Sequence, residues 1–442
     1  MTALSILSNL AALALAVALC CLGLAWRSPV LASLRPSGFA VVLALSLGLA
    51  GWSARKITLT GIGTMPRLWA LAILALSAVG GVGALAAESQ HQQAKSEILA
   101  TDPQTLQRIG RHLIAGYTDH RRIRELIEAR AVSGVFITKR NIGRRSAKDV
   151  ADEIASWQKL RREQGLPPLI IAADQEGGDV SRLSPPLPQM PPLARVIAQA
   201  QTDEARRAAA RDYGLKQGRE LARLGVTLNF APVVDLNYNI RSRADAHTRI
   251  YRRAIGRAPA LVSPVADAYC QGLAAAGVAC TLKHFPGLGR VAKDTHVAAA
   301  KLATPAVELE QSDWVPFRQG PRPSSTLIMV GHVHLASVDP ENPASRSRKV
   351  VNGIIRQRWK HDGLLVTDDL SMRAAYAGQQ RWGLGATGSA AVAALNAGVD
   401  LVLISFDSDQ IYSILSALML ALRDGRLDAE MLAASDQRLS RP

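Results

Sequence analysis

Two adjacent carboxylates directly follow a strongly apolar run near the C-terminal end of the chain. The run Gly363–Thr367 is rich in Leu and Val, and Asp368 and Asp369 come immediately after it. Successive side chains of an extended segment point to opposite sides. One carboxylate can therefore face a pocket while the other accepts hydrogen bonds from loop amides. An Asp that precedes a helix often caps it, and this role suits Asp369 better, so Asp368 is the candidate catalytic carboxylate.

A second group of candidate residues combines Lys, His and Asp around a loop rich in Pro and Gly. Lys283 and His284 follow a predicted strand, and Asp294 precedes His296 by two residues. An Asp beside a His can orient the imidazole and raise its basicity, which suits proton transfer near neutral pH. Metal binding is the alternative, although the H-E-x-x-H pattern of zinc hydrolases is absent, and we expect no metal. The candidate ligands for that alternative are His284, Asp294, His296, His332 and His334.

A third segment places a carboxylate before paired glycines. It reads Asp174-Gln175-Glu176-Gly177-Gly178, and Arg182 follows shortly after. Glycines let a ligand approach the backbone closely, so the segment fits the binding of hydroxyl groups. An ordinary acidic turn is the alternative interpretation.

Eight short apolar runs, separated by longer amphipathic stretches, must position these side chains. Several of the runs lack alternation, as is typical of strands that are buried on both faces of a parallel sheet. The intervening stretches include two predicted helices, 202–224 and 258–276, each followed by a glycine in a C′-like position. The predicted strands are Leu113–Gly116, Gly134–Thr138, Leu169–Ala173, Val226–Ala231, Val278–Leu282, Thr326–Val330, Gly363–Thr367 and Val399–Ile404.

This alternation predicts an α/β fold, an (α/β)₈ TIM-type barrel. The alternative is a doubly wound open sheet, but no G-x-G-x-x-G follows the first strand. Polar residues come immediately after several predicted strands, and such strand ends converge on one face of a barrel, where active sites lie. These residues are Asp174, Lys283, His284, His332, His334 and Asp368.

The segments together resemble family 3 glycoside hydrolases, specifically the single-domain bacterial β-N-acetylhexosaminidases, over roughly residues 105–410. The resemblance rests on Lys283-His284-Phe285-Pro286-Gly287, on Asp294-Thr295-His296, and on the stretch from Ile354 to Ser371 that contains Thr367-Asp368. It implies that Asp368 is the nucleophile and that His296, partnered by Asp294, is the acid/base. It also implies sugar binding by Asp174, Arg182, Arg253, Lys283 and His284.

The chain departs from the family pattern at several positions. Leu288 stands where relatives carry a second His in K-H-F-P-G-H-G, so we expect one dominant titrating imidazole in this loop. Arg253 begins a run that matches the family only in part, because Ile255 and Ala258 differ from it. The region 237–252 is unusually rich in Arg and longer than in family members.

The resemblance implies a retaining exo-glycosidase that releases terminal β-linked N-acetylglucosamine from cell-wall-type glycans such as peptidoglycan. No metal or organic cofactor is expected. Two alternatives remain open. The first is a His-using glycoside phosphorylase, since a basic pocket would tolerate phosphate. The second is a catalytically weakened, membrane-tethered protein that binds the cell wall.

Three apolar stretches, Leu4–Trp26, Phe39–Trp52 and Leu68–Ala87, precede the first acidic residue. The first and third are long enough to span a bilayer. The loop 53–67 carries more positive charge than the loop 27–38, which places it in the cytoplasm by the positive-inside rule. We therefore expect a membrane region over 1–87 in the inner (plasma) membrane and a periplasmic or extracellular catalytic domain over 88–442. A signal-like segment from Met65 to an A-x-A site is an alternative with the same outcome.

Composition narrows the partners further. The formal charge is +16, yet no basic run is interleaved with aromatics as a nucleic-acid groove requires. We expect a carbohydrate substrate, membrane contact through the N-terminal region, and no nucleic acid. The four cysteines, Cys20, Cys21, Cys270 and Cys280, show no zinc spacing. We interpret all four as buried apolar side chains, with a Cys270–Cys280 disulfide as a compatible alternative.

Overall fold

The computed structural model describes residues 3–58, 63–318, 320, 322–378 and 384–441. The described chain divides into two compact units. The first contains the residues up to Ile98 together with a short segment that ends at Ala386. The second contains the remaining residues from Leu99 onward.

The N-terminal unit is helical. Three of its helices are long and apolar enough to cross a membrane by length and composition, and they contain almost all of the three predicted apolar stretches. Leu19, Trp26, Val42 and Ala84 form a buried cluster within the unit. The helices are Ala3–Leu24, the 3₁₀ helix Pro29–Leu34, Arg35–Thr58 and Thr64–Ala100.

Polar contacts at the helix ends show that the three long helices alternate in direction. Arg27, just after the first helix, pairs with Glu88 of the third helix at 2.5 Å. At the other end of the unit, the Lys56 ammonium donates to the side-chain oxygen of Asn9 at 3.1 Å. The more positive loop and the N-terminus therefore lie at the same end of the unit.

The second unit is built around eight parallel strands. The strands are β1 Leu113–Gly116, β2 Gly134–Ile137, β3 Ile170–Ala173, β4 Leu228–Asn229, β5 Ala279–Phe285, β6 Leu327–Val330, β7 Leu365–Thr367 and β8 Val402–Ile404. They hydrogen-bond in the order β7-β6-β5-β4-β3-β2-β1-β8, and a parallel bridge between Val366 and Leu401 joins the two outermost strands. The sheet is thus a nearly closed, barrel-like structure.

Apolar side chains from seven of the eight strands fill the centre of the sheet. Phe136 on β2 stacks on Phe230, which follows β4, with ring centroids 5.5 Å apart. Burial of such side chains supplies the main favourable free energy of folding. The cluster consists of Ile114, Phe136, Ala172, Leu228, Phe230, Leu327, Met329, Val366, Leu401 and Leu403.

Helices follow most of the strands. The predicted helices 202–224 and 258–276 are present as Asp203–Arg223 and Pro259–Ala274, and Gly225 and Gly277 adopt the positive φ angles expected after a helix end. The other helices of this unit are Pro103–Gly110, His120–Glu128, Lys139–Ile142, Ala147–Glu163, Leu193–Ile197, Ile250–Arg253, Ala306–Gln311, Val315–Arg318, Ala344–Arg346, the π-helix Lys349–Arg358, Arg373–Tyr376, Leu384–Ala397, Gln410–Arg423 and Ala429–Leu439.

All eight predicted strands are present, and two expectations need correction. Lys283 and His284 lie within β5 rather than after it, because this strand continues to Phe285. The cysteines are not four buried apolar side chains. Cys270 and Cys280 form a disulfide with a Cα–Cα distance of 5.4 Å, which links the helix Pro259–Ala274 to β5, whereas Cys21 is exposed.

Candidate active site

The carboxyl ends of the strands bring the candidate residues to one face of the sheet. Asp174 follows β3, Lys283 and His284 occupy the last part of β5, and Asp368 follows β7. His296 lies on the long loop after β5. In a parallel barrel these ends surround a single mouth, so residues that are far apart in the sequence share one site.

Asp368 is partly buried, and the charges of three histidines act on its carboxylate. Its backbone N–H donates to the carbonyl of Val330 at 2.9 Å, which fixes the end of β7 against β6. Burial alone would raise the pKa of Asp368, but the charges of His284, His332 and His296 hold it below its ordinary value. Asp368 is therefore ionised near neutral pH.

The adjacent carboxylate, Asp369, accepts hydrogen bonds from backbone and side-chain groups of two loops. Its Oδ1 accepts from the N–H groups of Ser371 and Ser405, at 2.9 and 3.0 Å. Its Oδ2 accepts from the Ser405 hydroxyl at 2.5 Å and from the Phe406 N–H at 2.8 Å. The carboxylate thus joins the loop after β7 to the loop after β8, and the two neighbouring aspartates have different surroundings.

His296 and Asp294 form a hydrogen-bonded pair. His296 Nδ1 lies 2.7 Å from Asp294 Oδ1, and the His296 ring is 44 % exposed, whereas the Asp294 side chain is fully buried. Burial alone would lower the pKa of His296, but the hydrogen bond to Asp294 and the negative charge of Asp368 raise it above its ordinary value. Hydrogen bonds from His296 hold the pKa of Asp294 below its usual range, against the effect of burial. Nε2 is the ring nitrogen left to face a reacting group.

A network of ion pairs lies beside this carboxylate and imidazole. Lys283 Nζ contacts Asp174 at 2.6 Å and Glu176 at 2.7 Å, and Arg253 binds both carboxylate oxygens of Glu176 at 3.0 and 2.7 Å. Lys283 is 2 % exposed and Glu176 is 6 % exposed. Burial alone would raise the pKa of Glu176, but Arg253 and Lys283 lower it to about 2. Glu176 is consequently a poor proton donor, and the network holds the buried Lys283 and the partly buried Arg253 in fixed positions.

His284 is held by a buried carboxylate that the sequence analysis missed. Asp235 Oδ2 lies 2.7 Å from His284 Nδ1, and the same carboxylate accepts from the backbone N–H groups of His284 and Leu288. The Leu288 side chain is buried. Asp235 comes shortly after β4, so the rule that selected polar residues at strand ends would have found it had the predicted strand been extended past Ala231.

The remaining candidates have other surroundings. The Arg182 side chain is exposed, and its backbone N–H donates to the carbonyl of Asp174 at 3.0 Å. His332 is buried and lies between the Ser345 hydroxyl and the Asp369 carbonyl, and His334 contacts the Pro340 carbonyl. Among the residues that the structure describes, no three His, Cys, Asp or Glu side chains converge as metal ligands.

Comparison with known proteins gives this site a family. The model of the glycosyl hydrolase family 3 N-terminal domain matches residues 101–441. A β-hexosaminidase of Xanthomonas oryzae pv. oryzae is 36 % identical over 282 residues, which cover 64 % of this chain and 78 % of that protein. The glycoside hydrolase family 3 β-N-acetylglucosaminidase of Paenibacillus sp. str. FPU-7 has a TM-score of 0.66 and 32 % identity, with 75 % of this chain and 61 % of that chain covered. A glycosyl hydrolase family 3 member from Mycobacterium smegmatis str. MC2 155 has a TM-score of 0.64 and 32 % identity, with 78 % and 97 % covered.

The chain belongs to glycoside hydrolase family 3. It is a glycoside hydrolase of the β-hexosaminidase type, and it acts on carbohydrate.

Proposed function

We propose that this enzyme is a retaining exo-glycosidase that releases terminal β-linked N-acetylglucosamine from cell-wall-type glycans such as peptidoglycan. The observation that carries the proposal is a partly exposed imidazole, His296, held at 2.7 Å by the buried Asp294 and raised in pKa by the negative charge of Asp368. A retaining glycosidase needs an ionised nucleophile and a proton donor at the same bond. Asp368 is ionised near neutral pH, and the raised pKa of His296 favours its protonated form.

The reaction then has two steps. Asp368 attacks the anomeric carbon while His296 gives its proton to the leaving oxygen, so the glycosidic bond breaks as a glycosyl–Asp368 ester forms. Neutral His296 next takes a proton from water, and the resulting hydroxide displaces Asp368 from the anomeric carbon. Two inversions give net retention. Asp294 holds Nδ1 throughout and stabilises the protonated ring.

The ion-pair network and its neighbours are proposed to bind the sugar. Asp174 and Lys283 offer an acceptor and a donor at the mouth of the sheet, and Arg253 lies 3.4 Å from His284 Nε2. Their mutual contacts fix these side chains before substrate arrives, which lowers the entropy that binding costs. The exposed Arg182 completes the set that the family resemblance implies.

The surroundings of the site's cationic side chains argue against the phosphorylase alternative. Lys283, Arg182 and Arg253 were the groups expected to tolerate phosphate. Lys283 and Arg253 are paired with carboxylates, and Arg182 is exposed. Hydrolysis therefore remains our proposal, with no metal or organic cofactor.

A panel of chromogenic glycosides tests the substrate class. We expect the enzyme to hydrolyse the N-acetylglucosaminide much faster than the glucoside or the xyloside. Proton NMR of the first-formed sugar should show the β anomer, and adding phosphate should produce no sugar phosphate. Preference for the glucoside, an α-configured first product, or a phosphate-dependent product would each overturn part of the proposal.

The N-terminal helices are proposed to anchor the enzyme in the inner membrane, with residues 1–87 as the membrane region and 88–442 as the catalytic part. Three candidate spans and the alternating helix directions support this arrangement. The loop charges put the catalytic part outside the cytoplasm. The Cys270–Cys280 disulfide fits the same side, because disulfides persist in oxidising compartments.

A further inference from the structure

A cavity of about 660 Å³ adjoins both ends of the segment that carries the Asp294–His296 pair. Residues 290–293 line it before the pair, and residues 299–301 line it after the pair. The loop after β6 and the segment after β7 complete the wall. The part of this wall that the structure describes contains none of the residues proposed for catalysis or sugar binding. The cavity is therefore distinct from the proposed active site, and its volume lies in the range of small-molecule sites.

Positive side chains outnumber negative ones in the cavity wall. Lys293 and Lys301 are exposed there, and Glu341 is the acidic residue among the described lining residues. The guanidinium of Arg290, which also lines the cavity, is already bound by two carboxylates. The charge that the wall offers to a ligand is consequently positive.

A buried arginine adds to this charge. Arg346 is 7 % exposed, and its Nη2 donates at 3.3 Å to the carbonyl of Ala377, a residue of the cavity wall. Among the residues that the structure describes, its Nε has no hydrogen-bond partner. Burial lowers the pKa of Arg346 to about 10, so the guanidinium stays charged at neutral pH. A buried charge without a bound counter-charge is unfavourable, so this side chain calls for an anion.

The carboxylate whose charge acts on Arg346 is bound by other groups. It belongs to Asp339, whose Oδ2 accepts from the Ser347 hydroxyl at 2.7 Å and from the Asn342 side chain at 3.2 Å. Its Oδ1 accepts from the backbone N–H groups of Glu341 and Asn342, both at 3.2 Å. Asp339 thus stabilises its own turn, and the charge of Arg346 remains largely uncompensated.

His334, another residue of the wall, lies within the same positive region. Its Nδ1 contacts the Pro340 carbonyl at 3.1 Å. Burial lowers the pKa of His334, and the charges of Arg346 and Lys301 lower it further, against the effect of that hydrogen bond. Cations from the loop after β5 and the loop after β6 therefore converge on one part of the cavity.

We propose that this cavity binds a phosphate-bearing ligand, with Arg346, Lys293 and Lys301 as its cations. Guanidinium groups bind phosphate through charge-assisted, often bidentate hydrogen bonds, and lysine binds it as a point charge. A dianionic phosphoryl group matches the excess of positive charge in the wall. The volume exceeds what a phosphate ion fills, so an organic group on the phosphate also fits.

An occupant of the cavity would touch the segments that position the proton donor. Lys293 and Lys301 lie on either side of the Asp294–His296 pair in the sequence. Ala377 belongs to the segment after β7, in which the Arg373 N–H donates to the His296 carbonyl at 2.9 Å. Binding would therefore fasten the proton-donor segment to the segment that follows the proposed nucleophile.

Calorimetric titration of the full-length enzyme in detergent tests binding without any turnover. We would compare inorganic phosphate with glucose 6-phosphate at constant ionic strength, since salt screens such attraction, and we expect glucose itself not to bind. Tighter binding of glucose 6-phosphate assigns an organic phosphate, and equal binding assigns the free ion. N-acetylglucosamine should not displace either one. Failure of both phosphates to bind, or their displacement by N-acetylglucosamine, would overturn the proposal.

Arg346→Met tests the buried cation. Without ligand, this variant should unfold at the same temperature as the wild type or higher, because an apolar side chain of similar volume often replaces a buried charge without loss of stability. Phosphate should raise the melting temperature of the wild type by binding its folded state. The variant should lose most of this rise.

The two exposed lysines give a second test that does not disturb the core. Lys293→Gln combined with Lys301→Gln should weaken phosphate binding by about 10-fold, as expected for the loss of charge-assisted contacts. Arg207→Gln, at an exposed arginine on the helix Asp203–Arg223, is the matched control and should bind as the wild type does. If the double lysine variant binds phosphate as tightly as the wild type, the site is wrongly assigned, while the proposed function is unaffected.

Discussion

The imidazole rings of His247 and His296 lie edge to face with centroids 5.6 Å apart, although they belong to different loops. The replacement at Leu288 predicts one dominant titrating imidazole, and this expectation considered only the loop after β5. A second ring reaches the proton donor from the loop after β4 instead. The His247 ring therefore packs against the proposed proton donor from a second loop.

The pH dependence of activity tests the role of Asp294. The pKa of His296 is raised above its ordinary 6.5, so the protonated acid persists at higher pH and is lost as pH rises through that raised value. The basic limb of kcat/KM on an unactivated substrate should therefore lie above pH 6.5. Asp294→Asn removes a charge and weakens the hydrogen bond, so the limb should move to lower pH. An unshifted limb in that variant would assign it to another group.

Leaving-group dependence tests His296 as the acid. His296→Ala should lower kcat/KM on a disaccharide by about 10²- to 10⁴-fold, the usual contribution of general acid catalysis. It should lower the formation of the glycosyl-enzyme from a nitrophenyl glycoside far less, because that aglycone leaves without protonation. Asp294→Ala should give a milder version of the same pattern. An equal loss on both substrates would mean that His296 binds sugar or holds its loop.

A mechanism-based fluorinated sugar tests the nucleophile. Asp368→Ala should lower turnover by more than about 10⁴-fold, as removal of a nucleophile does in other hydrolases, and its circular dichroism should match the wild type. Mass spectrometry of the trapped wild-type enzyme should place the label on the peptide that contains Asp368, at that residue. Fragment ions that place it on Asp369 or Asp174 would contradict the assignment.

The ion-pair network makes a prediction about stability. Lys283→Met removes one of the two cations that bind the buried Glu176, and breaking such a pair should lower the free energy of unfolding by about 3 kcal/mol. Lys148→Met, which removes an exposed pair with Asp152, is the matched control and should leave stability unchanged. Chemical denaturation of both variants measures the difference, and equal stability of the two would show that Lys283 contributes nothing.

The same network predicts how stability depends on pH. The pKa of Glu176 is lowered from 4.5 to about 2, so its stabilisation is fully present above pH 4.5 and is lost as the pH falls towards 2. The wild type and Lys283→Met should therefore converge in stability in acid. A difference that stays constant down to about pH 2 would point to packing of the lysine side chain instead.

A reporter fusion tests the orientation of the catalytic part. Alkaline phosphatase, which needs an oxidising compartment, should be active when fused after residue 100, and a cytoplasmic reporter at the same point should be inactive. In the native enzyme, Cys270 and Cys280 should resist alkylation until a reductant is added, because they form a disulfide. A fusion that is active only in the cytoplasm would place the catalytic part on the other side.

Much of the fold follows from local pattern. The eight strands could be predicted because each is a short apolar run, and several lack alternation, as burial on both faces requires. The helix ends at Gly225 and Gly277 could be predicted because glycine adopts positive φ readily. Asp368 could be selected by its position directly after a predicted strand, and the Asp294–His296 pair by the two-residue spacing within its own loop.

The partners that lie far apart in the sequence could not be predicted in this way. The predicted strand stops at Ala231, so Asp235 lies beyond it, and His247 stands in a loop with no periodicity. The Cys270–Cys280 disulfide could be named only as an alternative, because it depends on a helix and a strand approaching to a Cα–Cα distance of 5.4 Å. Such contacts are set by tertiary packing, which a single sequence does not report.

The residue at which the sequence departs from the expected K-H-F-P-G-H-G pattern contributes through its main chain. Leu288 gives its N–H to the Asp235 carboxylate at 2.7 Å, and that carboxylate also holds the His284 ring. Every residue except proline has this backbone N–H, so residue 288 can be substituted without loss of the hydrogen bond to the Asp235 carboxylate. The side chain at this position is buried, so it need only be apolar and of suitable size. A substitution at position 288 therefore changes only the side chain that fills the core, whereas the backbone N–H that binds Asp235 stays the same.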